Sequence, residues 1–281
     1  MPRSNGNNGQ FIHIDLMMTY PFISIITATL NVEDKIIPTI RSLENQTDKN
    51  FEWIISDGAS IDNTVNIIKA VKNLNIKIIS EPDFGIYDAI NKAIKIAYGD
   101  YYLVLGAGDL LEPNAIELYR KAAYYTKASI LSARVYIGEK VRYPNRGKPW
   151  LFSAGAYISA HSVGTLIKKS LHEQLGYYSH RFPLGADYLF IKTAIQNGYK
   201  FHACDFIAGE FILGGISSTD TISVLCDTLR LQIETGENLI LQTLIFISAL
   251  FIKVIIPKIL CARSIKTKDF FQPQDNLKKC T

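Results

Sequence analysis

Residues 76–105 read IKIISEPDFGIYDAINKAIKIAYGDYYLVL, and this stretch decides the fold. Its two ends, Ile76 to Ser80 and Tyr101 to Leu105, are short apolar runs of the kind that form strands buried on both faces. Between them Ile86, Ile90, Ala93 and Ala97 recur at helical spacing and make one apolar stripe. Strand, helix and strand within about 30 residues make a βαβ crossover unit.

The same alternation extends toward the N-terminus. Phe22 to Ala28 and Trp53 to Asp57 read as two more buried strands. Ile36, Ile40 and Leu43 share a helical face, and Pro38 is expected to confine the regular helix to the residues from there onward. Asp62 is placed as the N-cap of a helix carrying Val65, Ile68 and Val71. Four strands alternating with helices predict an α/β fold with a doubly wound, mostly parallel sheet. Ligands of such sheets bind at the carboxyl ends of the strands, so the residues just after each strand are the candidates for function.

Those residues are polar and acidic. Strand one leads into Thr27, Thr29 and Asn31, strand two into Asp57-Gly58-Ala59-Ser60, and strand three into Glu81-Pro82-Asp83. Strand four leads into Gly106-Ala107-Gly108-Asp109. Mg²⁺ and Mn²⁺ prefer oxygen ligands and are commonly held by one or two carboxylates together with phosphate oxygens and water. Asp109, beside two glycines that let a diphosphate approach the backbone, suits that work. No glycine-rich phosphate loop follows strand one, which counts against a dinucleotide or P-loop enzyme. A net charge of +4, with no basic run interleaved with aromatics in the first 200 residues, argues against a nucleic-acid binder.

The second half is less regular. Tyr143 to Trp150 is a connector rich in Pro, Gly and Arg, Ser170 to Leu175 has the form of a short helix, and Asp187 opens a helical pattern that ends at Asn197-Gly198. Residues 1–20 read as a flexible polar leader without the apolar core of a signal peptide. Leu239 to Ile256 is dominated by Leu, Ile and Phe and is followed by Lys258, Arg263, Lys266 and Lys268. That combination suggests a helix lying in the interface of an anionic inner leaflet, with a packing or dimerisation helix as the alternative. The four cysteines, Cys204, Cys226, Cys261 and Cys280, have neither close pairing nor metal-ligand spacing, which fits a reducing cytosol.

From Pro21 to about Gly198 the chain resembles the family-2 glycosyltransferases of GT-A fold. The match runs in order through Thr27 and Asn31, Ser42-Leu43 and Gln46, and Ser56-Asp57-Gly58-Ala59-Ser60 with Asp62 and Thr64. It continues through Glu81 to Asn91, Gly99-Asp100-Tyr101, Gly106 to Asp109 and Gly185-Ala186-Asp187-Tyr188, over roughly two-thirds of the chain. The resemblance implies a GT-A domain over residues 21–218, with a helical region over 219–281. It implies that Thr27, Asn31, Asp57 and Asp83 hold the nucleotide, that Asp109 binds the metal (Mn²⁺ or Mg²⁺), and that Asp187 is the general base of an inverting displacement. Gly108 stands where many relatives carry a further acidic residue, and His161 corresponds to a position near the active site.

The implied reaction moves one sugar from a nucleotide-sugar, a UDP-sugar before a GDP- or dTDP-sugar, to a hydroxyl of a glycan or lipid-linked acceptor. The setting would be bacterial surface-polysaccharide synthesis at the inner face of the cytoplasmic membrane. The competing readings are another metal-dependent nucleotide enzyme, such as a nucleotidyltransferase, and a non-catalytic nucleotide- or glycan-binding relative. Several residues also admit plainer roles. Asp57 suits an Asx turn, Tyr87 and Asn91 suit packing, His161 suits a structural hydrogen bond, and Gly214 to Ser218 suits either a closing loop or a surface turn.

Overall fold

The computed structural model describes residues 23–214 and 220–257. The expected leader, residues 215–218 of the glycine-serine loop, the basic residues from Lys258 onward, Cys261 and Cys280 lie outside them. The chain divides into one compact unit ending at Leu213 and a second beginning at Gly214.

In the first unit, β1 (Ile23–Thr29), α1 (Ile36–Glu44), β2 (Phe51–Asp57), α2 (Thr64–Ala70), β3 (Ile76–Ser80), α3 (Ile86–Ile96) and β4 (Tyr101–Val104) alternate as the pattern predicts. The four strands are parallel and stand in the order β3-β2-β1-β4. The chain winds outward from β1 to β3 and then returns to the other side of β1. The switch point, where such sheets bind ligands, therefore lies between the carboxyl ends of β1 and β4.

Helix α1 starts at Ile36, two residues earlier than Pro38 suggested. Pro38 falls in the first turn, where a missing N–H breaks no intrahelical hydrogen bond, so the ring is tolerated there.

The sheet continues past β4 in a way the sequence pattern did not reveal. After β5 (Leu110–Leu111) and α4 (Ala115–Thr126) come β6 (Ile130–Ile137), β7 (Lys140–Arg142), the short α5 (Pro149–Phe152) and β8 (Thr165–Lys168). Then follow α6 (Leu171–Leu175), α7 (Ala186–Gln196) and β9 (Phe201–Glu210). Strand β8 pairs antiparallel with β4 and with β6, while β6 and β9 run parallel. Placing β8 beside β4 brings the loop before β8 to the carboxyl end of β4.

The core is built on both faces of the central strands. Ile23, Ile25, Trp53, Ile55 and Leu103 join Leu43, Ile116 and Tyr119 in one buried cluster, while Ala89, Ile90, Ala93 and Ile94 of α3 lie buried on β1 and β2. Each large side chain sheltered this way contributes about 1.5–3 kcal/mol. Acidic residues at the opposite end of the strands are structural. Glu52, second in β2 and fully buried, accepts from Ser24 Oγ at 2.7 Å and pairs with Lys77 Nζ at 2.6 Å.

The second unit contains α8 (Thr221–Glu234) and α9 (Leu239–Leu250), the latter continuing through one wider turn at Phe251–Ile255. Asp220 caps α8 by accepting from Ser223 N, and Asn238 caps α9 by accepting from Leu241 N. Among the described residues no helix is long and apolar enough to cross a membrane. Cys204 and Cys226 are free thiols, and burial pushes the Cys204 thiol up to about 12.

Candidate active site

The loops after β1 and β2 form a single braced unit. Asn31, held at φ 50, donates its backbone N–H to Ser60 Oγ at 2.8 Å and accepts from Ile61 N at 2.9 Å. Asp57 is 1% exposed, and its carboxylate accepts from Thr29 Oγ1, from Ser60 N and Oγ, and from Ser80 Oγ. Burial pushes this carboxyl up, but those hydrogen bonds together outweigh burial and hold it below its ordinary value. Both oxygens are thus engaged by the protein.

Thr27 is fully buried, and its hydroxyl accepts from Trp53 Nε1 at 2.9 Å. Its side chain therefore faces the core. Strands buried on both faces carry no alternation from which this could be read.

Asp83 differs from Asp57 in its surroundings. It is half-buried, Gly85 N donates to its Oδ1 at 2.8 Å, and its Oδ2 lies over Gly58. A Cβ on Gly58 would stand 2.6 Å from that oxygen, so a larger residue there would push the carboxylate out of this position. The N-cap of α2 is Asn63, one residue later than expected; Asp62 accepts from Thr64 N at 3.0 Å and ties in the first loop by accepting from Glu33 N at 3.1 Å.

After β4 the chain turns tightly, with Asp109 N donating to Gly106 O at 3.0 Å. Thr39 of α1 braces the turn: its hydroxyl donates to Asp109 O at 2.9 Å and accepts from Gly108 N at 2.8 Å. Gly108 sits at φ 102, a conformation that disfavours any side chain. The Asp109 carboxylate, 4% exposed, accepts from Gly106 N at 3.1 Å, from Ser162 Oγ, and from Ile212 N at 2.8 Å. Burial pushes it up to about 6, hydrogen bonds lower it in part, and Glu210 at the end of β9 raises it. A buried carboxylate held up in this way favours a cation beside it.

Among the described residues no three His, Cys, Asp or Glu side chains gather as a metal cage. A Mg²⁺ or Mn²⁺ ion beside Asp109 would have to draw most of its ligands from diphosphate and water.

Asp187 lies in the first turn of α7 and is 7% exposed. Tyr87 Oη donates to its Oδ1 at 2.6 Å, and His161 Nδ1 stands 3.5 Å from its Oδ2. Tyr87 comes from α3, so its position is fixed by the same crossover helix that defines the fold. His161 directs its other nitrogen, Nε2, to Tyr178 Oη at 2.9 Å, so both ring nitrogens face protein groups. Asn91 pairs reciprocally with the Tyr178 backbone, at 2.9 and 3.0 Å, and serves to hold that residue.

The adjacent residues His161 and Ser162 therefore touch the two candidate carboxylates: Ser162 meets Asp109 and His161 meets Asp187. Neighbouring Cα atoms are about 3.8 Å apart, so this dipeptide gathers both acids at the end of β4. No sequence motif singles out Thr39, Ser162 or Glu210, whose roles come from partners distant in the chain. A 520 Å³ cavity lined by Pro38, Arg41, Asn45, Leu111, Tyr136 and Glu210 contains none of the expected site residues. Side-chain chemistry places the candidate site at the β1/β4 switch point instead.

Comparison with solved structures shows that this sheet is the fold of GT-A glycosyltransferases. The model of glycosyl transferase family 2 matches residues 24–198. A PGL/p-HBAD biosynthesis glycosyltransferase of Mycobacterium bovis is 28% identical over 235 residues, 80% of this chain and 90% of that protein. S. aureus TarS in complex with UDP-GlcNAc shares the fold at a TM-score of 0.63 and 17% identity, covering 82% of this chain and 72% of that one. The Pyrobaculum calidifontis mannosyltransferase, in complex with GDP-Man and Mn²⁺, does so at 0.62 and 15%, covering 92% and 77%. The chain belongs to glycosyl transferase family 2 and is a glycosyltransferase.

Proposed function

We propose that the protein is an inverting glycosyltransferase that moves a single sugar from a UDP-sugar to a hydroxyl of a glycan or lipid-linked acceptor in surface-polysaccharide synthesis. The supporting observation is the His161-Ser162 dipeptide, which touches one acid suited to a cation and another suited to a proton. Asp109 would hold a divalent cation, which would supply neutralisation of the diphosphate leaving group. Asp187 takes the acceptor hydroxyl's proton, and Tyr87 orients its carboxylate. Asn31, the Asp57 turn and Asp83 hold the nucleotide, with the half-buried Asp83 meeting the base or ribose and Asp57 shaping the turn beneath it. Transfer assays with a panel of nucleotide-sugars, with and without Mn²⁺, test this reading. A protein that binds donors yet neither hydrolyses nor transfers them would favour the non-catalytic alternative.

The contrast between the two nucleotide-side acids gives distinct expected outcomes. Asp83→Ala weakens UDP binding in calorimetry by about 1–3 kcal/mol, the loss expected when a hydrogen-bonding partner is left unpaired, with little change in melting temperature. Asp57→Ala lowers the melting temperature as well, because Thr29, Ser60 and Ser80 lose their shared acceptor. An unaltered affinity in Asp83→Ala would remove that residue from the nucleotide site.

Ligation needs the ionised form of Asp109, which burial pushes up to about 6, so protons compete with the cation below that value. Binding of Mn²⁺ and a UDP-sugar weakens about fourfold between pH 7.5 and 5.5, the fall in the ionised fraction of a group titrating near 6. A pH-independent affinity would show that Asp109 is not the ligand.

Location at a membrane surface draws its support from α9. Ile240, Leu244, Ile247 and Phe251, at helical spacing, are 72%, 58%, 55% and 52% exposed. Lys253 and the basic residues beyond it would each add on the order of 1 kcal/mol on an anionic leaflet. The full chain sediments with anionic liposomes at low salt, and a chain lacking residues 239–281 stays in the supernatant while retaining UDP binding. Full-length protein that remains unbound would rule the membrane reading out.

A further inference from the structure

Behind Asp187 runs a buried line of hydrogen bonds. His172, 3% exposed, sets its Nδ1 3.0 Å from Gly176 O and its Nε2 2.8 Å from Tyr102 Oη. Tyr102 Oη is 2.6 Å from Tyr178 Oη, which is 2.9 Å from His161 Nε2. His161 Nδ1 closes the line 3.5 Å from Asp187 Oδ2.

The far end fixes where every proton sits. A carbonyl oxygen only accepts, so His172 must carry its hydrogen on Nδ1. Burial pushes His172 down to about 4, which leaves the ring neutral at pH 7 and Nε2 an acceptor. Tyr102 then donates to His172, and with its one hydrogen committed it must accept from Tyr178. Tyr178 is committed in turn, so His161 donates from Nε2. Burial holds His161 below its ordinary value, against the pull of Asp187, and that single proton is the one on Nε2. Nδ1 consequently presents a bare lone pair to Asp187. A separation of 3.5 Å suits two acceptors with no proton between them.

We propose that His161 is the proton-accepting partner of Asp187, and that Tyr178, Tyr102 and His172 are positioning residues that keep its Nδ1 free. The inference rests on Asp187 being the base. In the step, the acceptor O–H bond breaks and its electron pair forms the new bond to the anomeric carbon. The bond from that carbon to the diphosphate breaks, and its pair leaves with the diphosphate. The proton passes to Asp187 Oδ2 and on to His161 Nδ1, creating an imidazolium beside a carboxylate, and it leaves to water after the product departs. The hydrogen bond available to protonated Asp187 makes it a better base in the transition state without a cost to donor binding.

The titratable groups around this pair are Tyr87 on α3, Tyr102 on β4, His172 on α6, Tyr178, and Tyr188 on α7, with Asp109 beyond Ser162. Tyr178 is also wedged between rings, with centroids 5.4 Å from Tyr87, 5.2 Å from His172 and 5.3 Å from Phe190. Tyr178→Phe keeps that packing and removes only the hydroxyl.

The test uses the full chain labelled with ¹⁵N-histidine, together with His161→Gln, Tyr178→Phe and Asp187→Asn. At pH 7 the His161 resonances should report a bare Nδ1 and a protonated Nε2. His161→Gln should lower kcat on the order of 10²-fold and Tyr178→Phe about 10-fold, the scale of assisted proton transfer, with donor KM unchanged. In both variants the acid limb of the kcat profile should move to lower pH, because a freed donor can now stabilise ionised Asp187. A merely structural role would lower the melting temperature without moving that limb. A protonated Nδ1 in the wild type, or wild-type kcat in folded His161→Gln alongside inactive Asp187→Asn, would overturn this inference alone. Full activity in Asp187→Asn would overturn the base assignment and this inference together. If Tyr178→Phe fails to fold, His161→Gln and the resonances decide the matter.

Discussion

Asp109→Asn removes most sugar transfer, by at least on the order of 10²-fold, and leaves a folded protein. The fold survives although the amide keeps only one of the two acceptor oxygens that Gly106 N and Ile212 N use, because Thr39 still braces the turn through the backbone of residues 108 and 109. The loss is large because the substituted group is the one buried carboxylate in the turn after β4, and an amide is a far weaker partner for a divalent cation. Several kcal/mol of leaving-group stabilisation rest on that cation, and each 1.36 kcal/mol is about tenfold in rate. Chelation of the wild-type enzyme gives the same phenotype, reversed by Mn²⁺ or Mg²⁺. Undiminished transfer in EDTA would remove the cation from the mechanism. Glu210, whose charge raises the Asp109 pKa, offers a graded control: Glu210→Gln weakens cation binding less than Asp109→Asn does.

Asp187→Asn lowers kcat by about 10²–10⁴-fold while donor affinity stays near its wild-type value. The asymmetry follows from geometry, since Asp187 contacts Tyr87 and His161 and has no part in the braced loops after β1 and β2. The amide can still accept from Tyr87, but its oxygen is far too weakly basic to take the acceptor's proton. Product from the wild-type enzyme should show inverted anomeric configuration by NMR. Retention would require a different mechanism and would take Asp187 out of the base role. Together the two variants separate leaving-group assistance from proton removal, since the first should change donor binding in the presence of cation and the second should not.

Much of the framework was legible in the chain itself. The βαβ rhythm from Ile23 to Val104 is a local property: each strand or helix announces itself by the spacing of its own apolar residues. Once strands alternate with helices, handedness and burial leave few ways to wind the sheet, and the acidic loops must fall at one edge. Asn31, Asp57, Asp83 and Asp109 were found there for that reason. The Asp187 helix was legible too, from its own periodicity.

What each acid does was decided elsewhere. Asp57 and Asp83 look alike as residues, yet one is clamped by Thr29, Ser60 and Ser80 while the other stands half-buried over Gly58. Tyr87 meets Asp187 across 100 positions of sequence, and Ser162 meets Asp109 across 53. The second of these depends on β8 lying antiparallel beside β4, a pairing that no short-range pattern encodes. Local spacing determined the strands, the helices and the edge where function sits, because those follow from neighbours a few residues apart. Only the tertiary structure decided which carboxylates stay charged, which are shielded and which stand next to a histidine, because charge state depends on burial and on partners brought from distant parts of the chain.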